Sequence, residues 1–443
     1  MENTFPLKNH VAAVAYYRDY LQSKVEILLL GLVFVAILSF SFHALLRPIT
    51  LYKIFYAGLP MSYIVLQLLR FEEFNYNKPL LFLYLIYICW IMNGLISAIL
   101  FTQADLGIEA VQYRIMTFLY FYFFTQFLVT QKRVKYFELF VIFSIVINVG
   151  FAFREMLTLQ HLPSSRNYKI LTYVPTGGYL TENGFSSGLL LLLITVFFIK
   201  NKIMKYFGAI LLFLALFVFL ICGVRFILII FFPIFLYYFI KRTNFLFKLI
   251  SVLIIIFSTY YIFSTVPLVR DVAMQHYKSN IVSFGRDLET VRNSSIKERV
   301  AILQIGFEKF SSTMGFGYGI NNHSKVHGYE ARARHSYGVQ MNLHHYYFDI
   351  LFTEGVIGFI LFMIIMQYVS LKIIMKYKKL TPKMLLNLNV SEKKIVIFHL
   401  FFIAVSVTTA TLHNVTYLYW VMFAYINSIF FNFQDDPKGL QTW

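Results

Sequence analysis

Apolar residues along this chain run in long blocks separated by short polar connections. The blocks lie at 25–45, 51–70, 79–101, 108–129, 136–158, 184–200, 206–222, 224–240, 245–266, 347–369, 395–413 and 415–432. Each approaches the roughly 20 residues that an α-helix needs to cross a hydrocarbon core. The pattern predicts an all-α integral membrane protein with about 12 transmembrane helices. The second block holds Lys53 and Pro60, and the seventh and eighth meet at Cys222–Gly223.

One connection is much longer than the others. The expected division is 1–266 with transmembrane helices 1–9, a large external loop at 267–346, and 347–443 with helices 10–12 and a cytoplasmic C-terminus. A loop of that length inside a compact protein is usually functional. Val300, Leu303, Phe307 and Phe310 recur in it at helical spacing, which predicts a short helix lying on the outer membrane surface. The run Gly315-Phe316-Gly317-Tyr318-Gly319 has the glycine density of a phosphate loop. No Lys-Ser/Thr follows it and no strand precedes it, so it reads as a turn.

Composition agrees with the blocks. The 443 residues are 59% hydrophobic and 14% charged, with 50 Phe and 32 Tyr, whereas soluble domains carry about a quarter charged residues. The net charge of +18 would suit a nucleic-acid partner were it not for its distribution. Of the 39 basic residues, 22 fall in connections on one side, among them Lys132, Arg133, Lys135, Lys200, Lys202 and Lys205. The positive-inside rule then sets both termini in the cytoplasm and the large loop outside. Its ten basic residues do not conflict with this, since long loops cross regardless of charge. No nucleic acid is needed to explain the charge. Cys89 and Cys222 both lie in or beside apolar runs and read as structural thiols. Six of the 11 histidines lie in 267–346, with His323 and His327 four apart. The segment lacks a clear third ligand, and solvated loop histidines account for them better than a metal site.

Ionisable residues inside a bilayer are costly and usually mark function. Arg114, Arg154, Arg225, Asp349 and Glu354 fall within expected spans, all toward the outer half, and His344 and His345 stand at the mouth of the span holding Asp349 and Glu354. The competing reading is that Arg114 and Arg154 pair with acidic residues to hold the bundle together.

Four motifs carry a family resemblance. They are Leu343-His344-His345-Tyr346-Tyr347-Phe348 followed by Glu354-Gly355-Val356-Ile357-Gly358-Phe359; Arg299-Val300-Ala301-Ile302-Leu303 followed by Gly315-Phe316-Gly317; Gly223-Val224-Arg225; and Thr181-Glu182-Asn183-Gly184-Phe185. Their order and spacing resemble the O-antigen polymerase and O-antigen ligase superfamily, membrane glycosyltransferases with a C-type glycosyltransferase-like fold. The chain departs from the pattern at His345, where the family usually has Asn, and at Glu354, which stands immediately before Gly355. Alignment on Gly355 and Gly358 makes His344 the family histidine, and alignment on Glu354 makes it His345.

The resemblance implies a donor glycan linked to undecaprenyl diphosphate, a glycan acceptor, a lipid environment and no cofactor. A chain-length regulator protein is a further implied partner. The setting is the bacterial inner membrane, with the active site facing the periplasm. His344, or alternatively His345, takes the catalytic role. Arg225 and Arg299 lead the candidates for the diphosphate, with Arg166, Arg286 and Arg154 behind them, and Asp349, Glu354 and Asn183 support the site. Three readings follow: a polymerase of lipid-linked repeat units, a ligase that moves the finished glycan to lipid A core, and a lipid-linked glycan flippase or transporter without covalent chemistry. A transporter should place charge near the midplane and show matching halves; no such repeat is found, and the charges gather outward.

Overall fold

The computed structural model describes residues 5–41, 50–101, 104–163, parts of 165–179, 181–196, 202–222, 294–320, 346–377, 412–432 and short pieces within 227–253 and 392–402. Ten helices among them are named here: α1 (Phe5–Ser41), α2 (Thr50–Leu68), α3 (Lys78–Phe101), α4 (Ala104–Phe127), α5 (Gln131–Thr158), α6 (Glu182–Leu193), α7 (Lys202–Cys222), α8 (Ser294–Ser312), α9 (Tyr346–Tyr377) and α10 (Leu412–Asn432). No strand occurs among the described residues.

The boundaries follow the apolar blocks closely. The block with Lys53 and Pro60 is helical through its proline, and α7 is helical throughout its described length to Cys222. Segments Tyr20–Ser39, Lys78–Phe101, Gln131–Thr158 and Tyr346–Ile373 lie in the four described helices long and apolar enough to cross a membrane. Most of the blocks at 224–240, 245–266 and 395–413 falls outside the described residues. α1 begins well before its block, because a helix may continue as a polar rod beyond the bilayer, while hydropathy marks only the immersed part.

α3 shows why these helices are membrane spans. Its inner face buries Leu80, Leu83, Tyr84, Tyr87, Trp90, Gly94, Ser97 and Ala98. The opposite face exposes Leu81, Leu85, Ile88, Met92, Ile96 and Ile99, again at helical spacing. A helix apolar on both faces, with one left uncovered, requires a hydrocarbon solvent. The chain is a helical membrane protein.

Polar contacts fix the alternating direction of the helices. Asn75 donates its backbone N–H to Gln126 Oε1 at 2.8 Å and its side-chain amide to Asn432 Oδ1 at 2.9 Å. The C-terminal ends of α2, α4 and α10 therefore meet the start of α3. Arg133, in the first turn of α5, joins them through Glu72. The other end of the bundle collects the end of α5, the start of α6 and the end of α7. Aromatic stacking fills the interior: Tyr87, Trp90, Phe121 and Trp420 lie within 6.2 Å of one another ring to ring in successive pairs, a geometry that adds to their area burial.

Candidate functional site

The site is built from two polar centres. The first lies between α3, α4 and α9. Arg114 bonds Glu354 through Nη2, reaches Trp90 O at 3.4 Å through Nη1, and lies 4.2 Å over the Trp90 ring. Trp90 Nε1 donates to Glu354 Oε2 at 2.8 Å. Both carboxylate oxygens and one arginine fork are thus engaged, the condition under which a buried pair can offset its desolvation.

Glu354 precedes a break in α9. Gly355 has φ 73 and ψ −175, so the helix is interrupted there, in a region open essentially to glycine. Backbone groups freed by the break must find other partners, and the glycine-rich turn supplies them. Tyr318 N donates to Phe352 O at 3.0 Å, Gly319 N to Thr353 O at 2.9 Å, and Val356 N to Gly315 O at 2.9 Å. Ser97 Oγ and Asn93 Nδ2 add bonds to Thr353 O and Glu354 O. A Cβ on Gly355 would lie 2.5 Å from Gly315 O, and one on Gly358 would lie 2.7 Å from Asn93 Nδ2. The run 315–319 is therefore a turn, as its sequence predicts, and its task is to clasp the break in α9.

α8 covers this clasp. The helix expected from Val300, Leu303, Phe307 and Phe310 forms, and Phe307 packs on Phe348 and Phe352 at 5.6 and 4.8 Å between centroids. Its apolar face thus has a protein partner in α9. Burial, reinforced by the negative charge of Asp349, pushes the Tyr318 phenol well above its ordinary range.

The second centre sits where α5 ends. Thr158 is the last helical residue, and Leu159 adopts φ 57 with its N–H bonded to Glu155 O, turning the chain back over the bundle. Glu155 is fully buried. Its Oε2 accepts from Thr176 N at 2.7 Å and Gly177 N at 2.9 Å, and His161 Nδ1 lies 3.5 Å away. Gly177 has φ +52, so these consecutive N–H groups form a small concave anion site, here taken by the chain's own carboxylate. Thr176 Oγ1 donates to Ser165 Oγ at 2.8 Å, and Cys222 at the end of α7 meets Pro175 O at 3.7 Å. α6 starts beside this cluster with Thr181 as its cap, accepting from Gly184 N at 3.2 Å. Tyr179 is buried in it, and burial raises its phenol above the usual range.

The expected site residues fall out as follows. Glu354 is engaged by Arg114, the pairing role weighed above for that arginine. Asp349 sits one turn before Thr353, whose hydroxyl donates to Asp349 O at 2.6 Å. Asn183 lies half-buried in the first turn of α6. Arg154 is exposed, because neighbouring helical residues point about 100° apart and Glu155 takes the inward direction. Arg299 lies on α8, of which the backbone is described at that position. Arg166, Arg225, Arg286, His344 and His345 lie outside the described residues, as does the pair His323 and His327. Among the described residues no cluster of three or more His, Cys, Asp or Glu could hold a metal ion. The sequence reasoning missed Glu155, although it is an ionisable residue inside an expected span, adjacent to the arginine that was singled out.

Residues 210–363 match the family model described as O-antigen ligase, about a third of the chain and the segment that contains three of the four motifs of the resemblance. No curated protein matches the chain.

Proposed function

We propose that the chain, given its O-antigen ligase match over 210–363, is a membrane glycosyltransferase acting on lipid-linked glycans at the non-cytoplasmic face. The observation that carries this is where the match falls. It spans Arg225, Arg299, His344 and His345 and the clasp at Gly355, and the clasp ties the α8 segment directly to the span that follows the histidines.

The chemistry is a single displacement. An acceptor sugar hydroxyl attacks the anomeric carbon of the donor, the bond from that carbon to the diphosphate oxygen breaks, and the acceptor proton passes to His344, or alternatively His345. Polyprenyl diphosphate leaves with its electron pair, and the anomeric configuration inverts. Histidine suits the proton's task because its ordinary pKa lies near neutrality. Arg225 and Arg299 are the groups we assign to the charge growing on the diphosphate, since a guanidinium fork matches phosphate oxygens bidentately.

Polymerisation of repeat units is the first reading. Transfer of a finished glycan to lipid A core is the second, favoured by the O-antigen ligase family that the segment matches. Purified protein given a synthetic undecaprenyl-diphosphate repeat unit in EDTA should form products without any nucleotide sugar. Long chains identify the polymerase, and product only on an added lipid A core identifies the ligase. A strict need for nucleotide sugar or divalent metal would sink the mechanism. His344→Ala should abolish product while His345→Asn is tolerated, and the reverse result moves the role to His345. Arg225→Ala and Arg299→Ala should each lose turnover without losing protein, with lysine rescuing only in part. A reporter fused after Lys248 should read cytoplasmic and one near Asn321 external.

A further inference from the structure

The connection from Leu159 to Thr181 has little regular structure, yet its buried polar contacts converge on one side chain. Glu155 Oε2 holds Thr176 N and Gly177 N near its far end and faces His161 near its start. His161 Nε2 lies 2.7 Å from Thr172 O. A carbonyl can only accept, so Nε2 carries hydrogen and Nδ1 is the atom left to face the carboxylate. Ser165 ties the middle of the connection to Thr176. It also shapes a turn, accepting from Asn167 N at 3.0 Å through its hydroxyl and from Tyr168 N at 3.2 Å through its carbonyl.

Two consequences follow from this anchoring. The Ser165 turn presents Tyr168 and Lys169 to the exterior. Pro175 is held against Cys222, three residues before Arg225 in the chain. The connection therefore lies across the end of α7, and the arginine assigned above to the diphosphate follows Cys222 by three residues in the sequence.

We propose that Glu155 is a positioning residue: its buried carboxylate latches the 161–179 connection across the ends of α5 and α7, and so sets the entry for a diphosphate-bearing donor. This rests on the proposed function for the identity of the donor, while the latch itself stands on geometry. Glu155 touches no reacting atom; it acts through Thr176, Gly177 and His161.

The test uses the full chain in membranes with Cys89→Ser, leaving Cys222 as the only thiol. Labelling of Cys222 by a membrane-impermeant maleimide should be slow in that background. In Glu155→Gln, which keeps the shape and removes the charge, it should rise about tenfold, the scale expected when a buried hydrogen-bond acceptor loses its charge. His161→Gln should move it the same way by less. With polyprenyl-diphosphate oligosaccharide as donor, Glu155→Gln should raise KM about tenfold and leave kcat within about threefold, as for a loss of ground-state binding. Unchanged labelling in Glu155→Gln overturns the latch whatever the activity. A fall in kcat at constant KM also overturns it, because that would make Glu155 part of the reaction. A parent protein that labels as expected but transfers nothing from this donor refutes the proposed function and leaves the latch supported.

Discussion

The two ends of the bundle handle buried charge in opposite ways. At one end Arg133 is saturated. Its Nε donates to Glu26 Oε2 at 2.9 Å, Nη1 to Glu72 Oε2 at 2.9 Å and to Phe127 O at 3.5 Å, and Nη2 to Glu72 Oε1 at 2.7 Å and to Glu26. A guanidinium has five N–H groups, and all five are used. Tyr63 adds a bond to Glu72 at 3.3 Å and one to Gln126 O at 3.2 Å. At the other end Glu155 spends one oxygen on a loop, while its Oε1 and the Tyr179 hydroxyl have no partner among the described residues. A network with every donor placed specifies a rigid packing. A centre that puts its bonds into backbone of an irregular connection specifies where that connection lies. The lesson is that the Arg133 end is built for stability and the Glu155 end for placement.

The largest expected effect tests the first half of that contrast. Arg133→Ala leaves two carboxylates facing each other and should cost about 3 kcal/mol, read as a lower unfolding midpoint in detergent and less protein in the membrane. Unchanged abundance would show that the saturated network contributes nothing. Next, Arg114→Met strands the buried Glu354 and should cost about 2–3 kcal/mol, whereas Arg114→Met with Glu354→Met should recover most of it, since apolar replacement of a whole buried pair is often neutral. A double variant that stays stable yet inactive would return Glu354 to the reaction. A smaller comparison uses two tyrosines. Tyr63→Phe loses both bonds of its hydroxyl and should cost about 1 kcal/mol, while Tyr179→Phe should cost near zero because no bond to the described residues is lost. Equal costs would erase the difference between the two ends. As small an effect is expected of Arg154→Ala, which should stay within about 0.5 kcal/mol of the parent in stability, as an exposed residue.

Much of the fold was legible because a bilayer imposes length and hydropathy on each span: α3 matches its apolar block to within a residue, α5 ends where its block ends, and α9 starts one residue before its block and runs eight residues past it. The alternating direction of the helices was equally readable, since each short connection reverses the chain. The break in α9 was not. Gly355 and Gly358 have the spacing of ordinary helix packing, and only the arrival of Gly315–Gly319 reveals that one opens the backbone while the other makes room for Glu354 and Asn93. Arg114 and Glu354 could be marked as unusual from their depth, but they lie 240 residues apart, and nothing local in either segment names its partner. Glu155 escaped for a related reason. Its partners are backbone N–H groups of Thr176 and Gly177, which carry no side-chain signature.

The interior stacking has an optical consequence. Of the three tryptophans in the chain, Trp90 and Trp420 are buried with centroids 6.1 Å apart, and the Trp90 indole is hydrogen-bonded to the Glu354 carboxylate just before the clasped break. With Trp443→Phe the remaining tryptophan emission, excited at the red edge where the 32 tyrosines do not absorb, would come from this pair alone, an excitonically close couple with a carboxylate on one ring. Any movement of α9 against α3 would change the emission colour and quenching of that couple. The protein therefore carries a built-in light gauge for the clasp, readable without a label while a donor is titrated in.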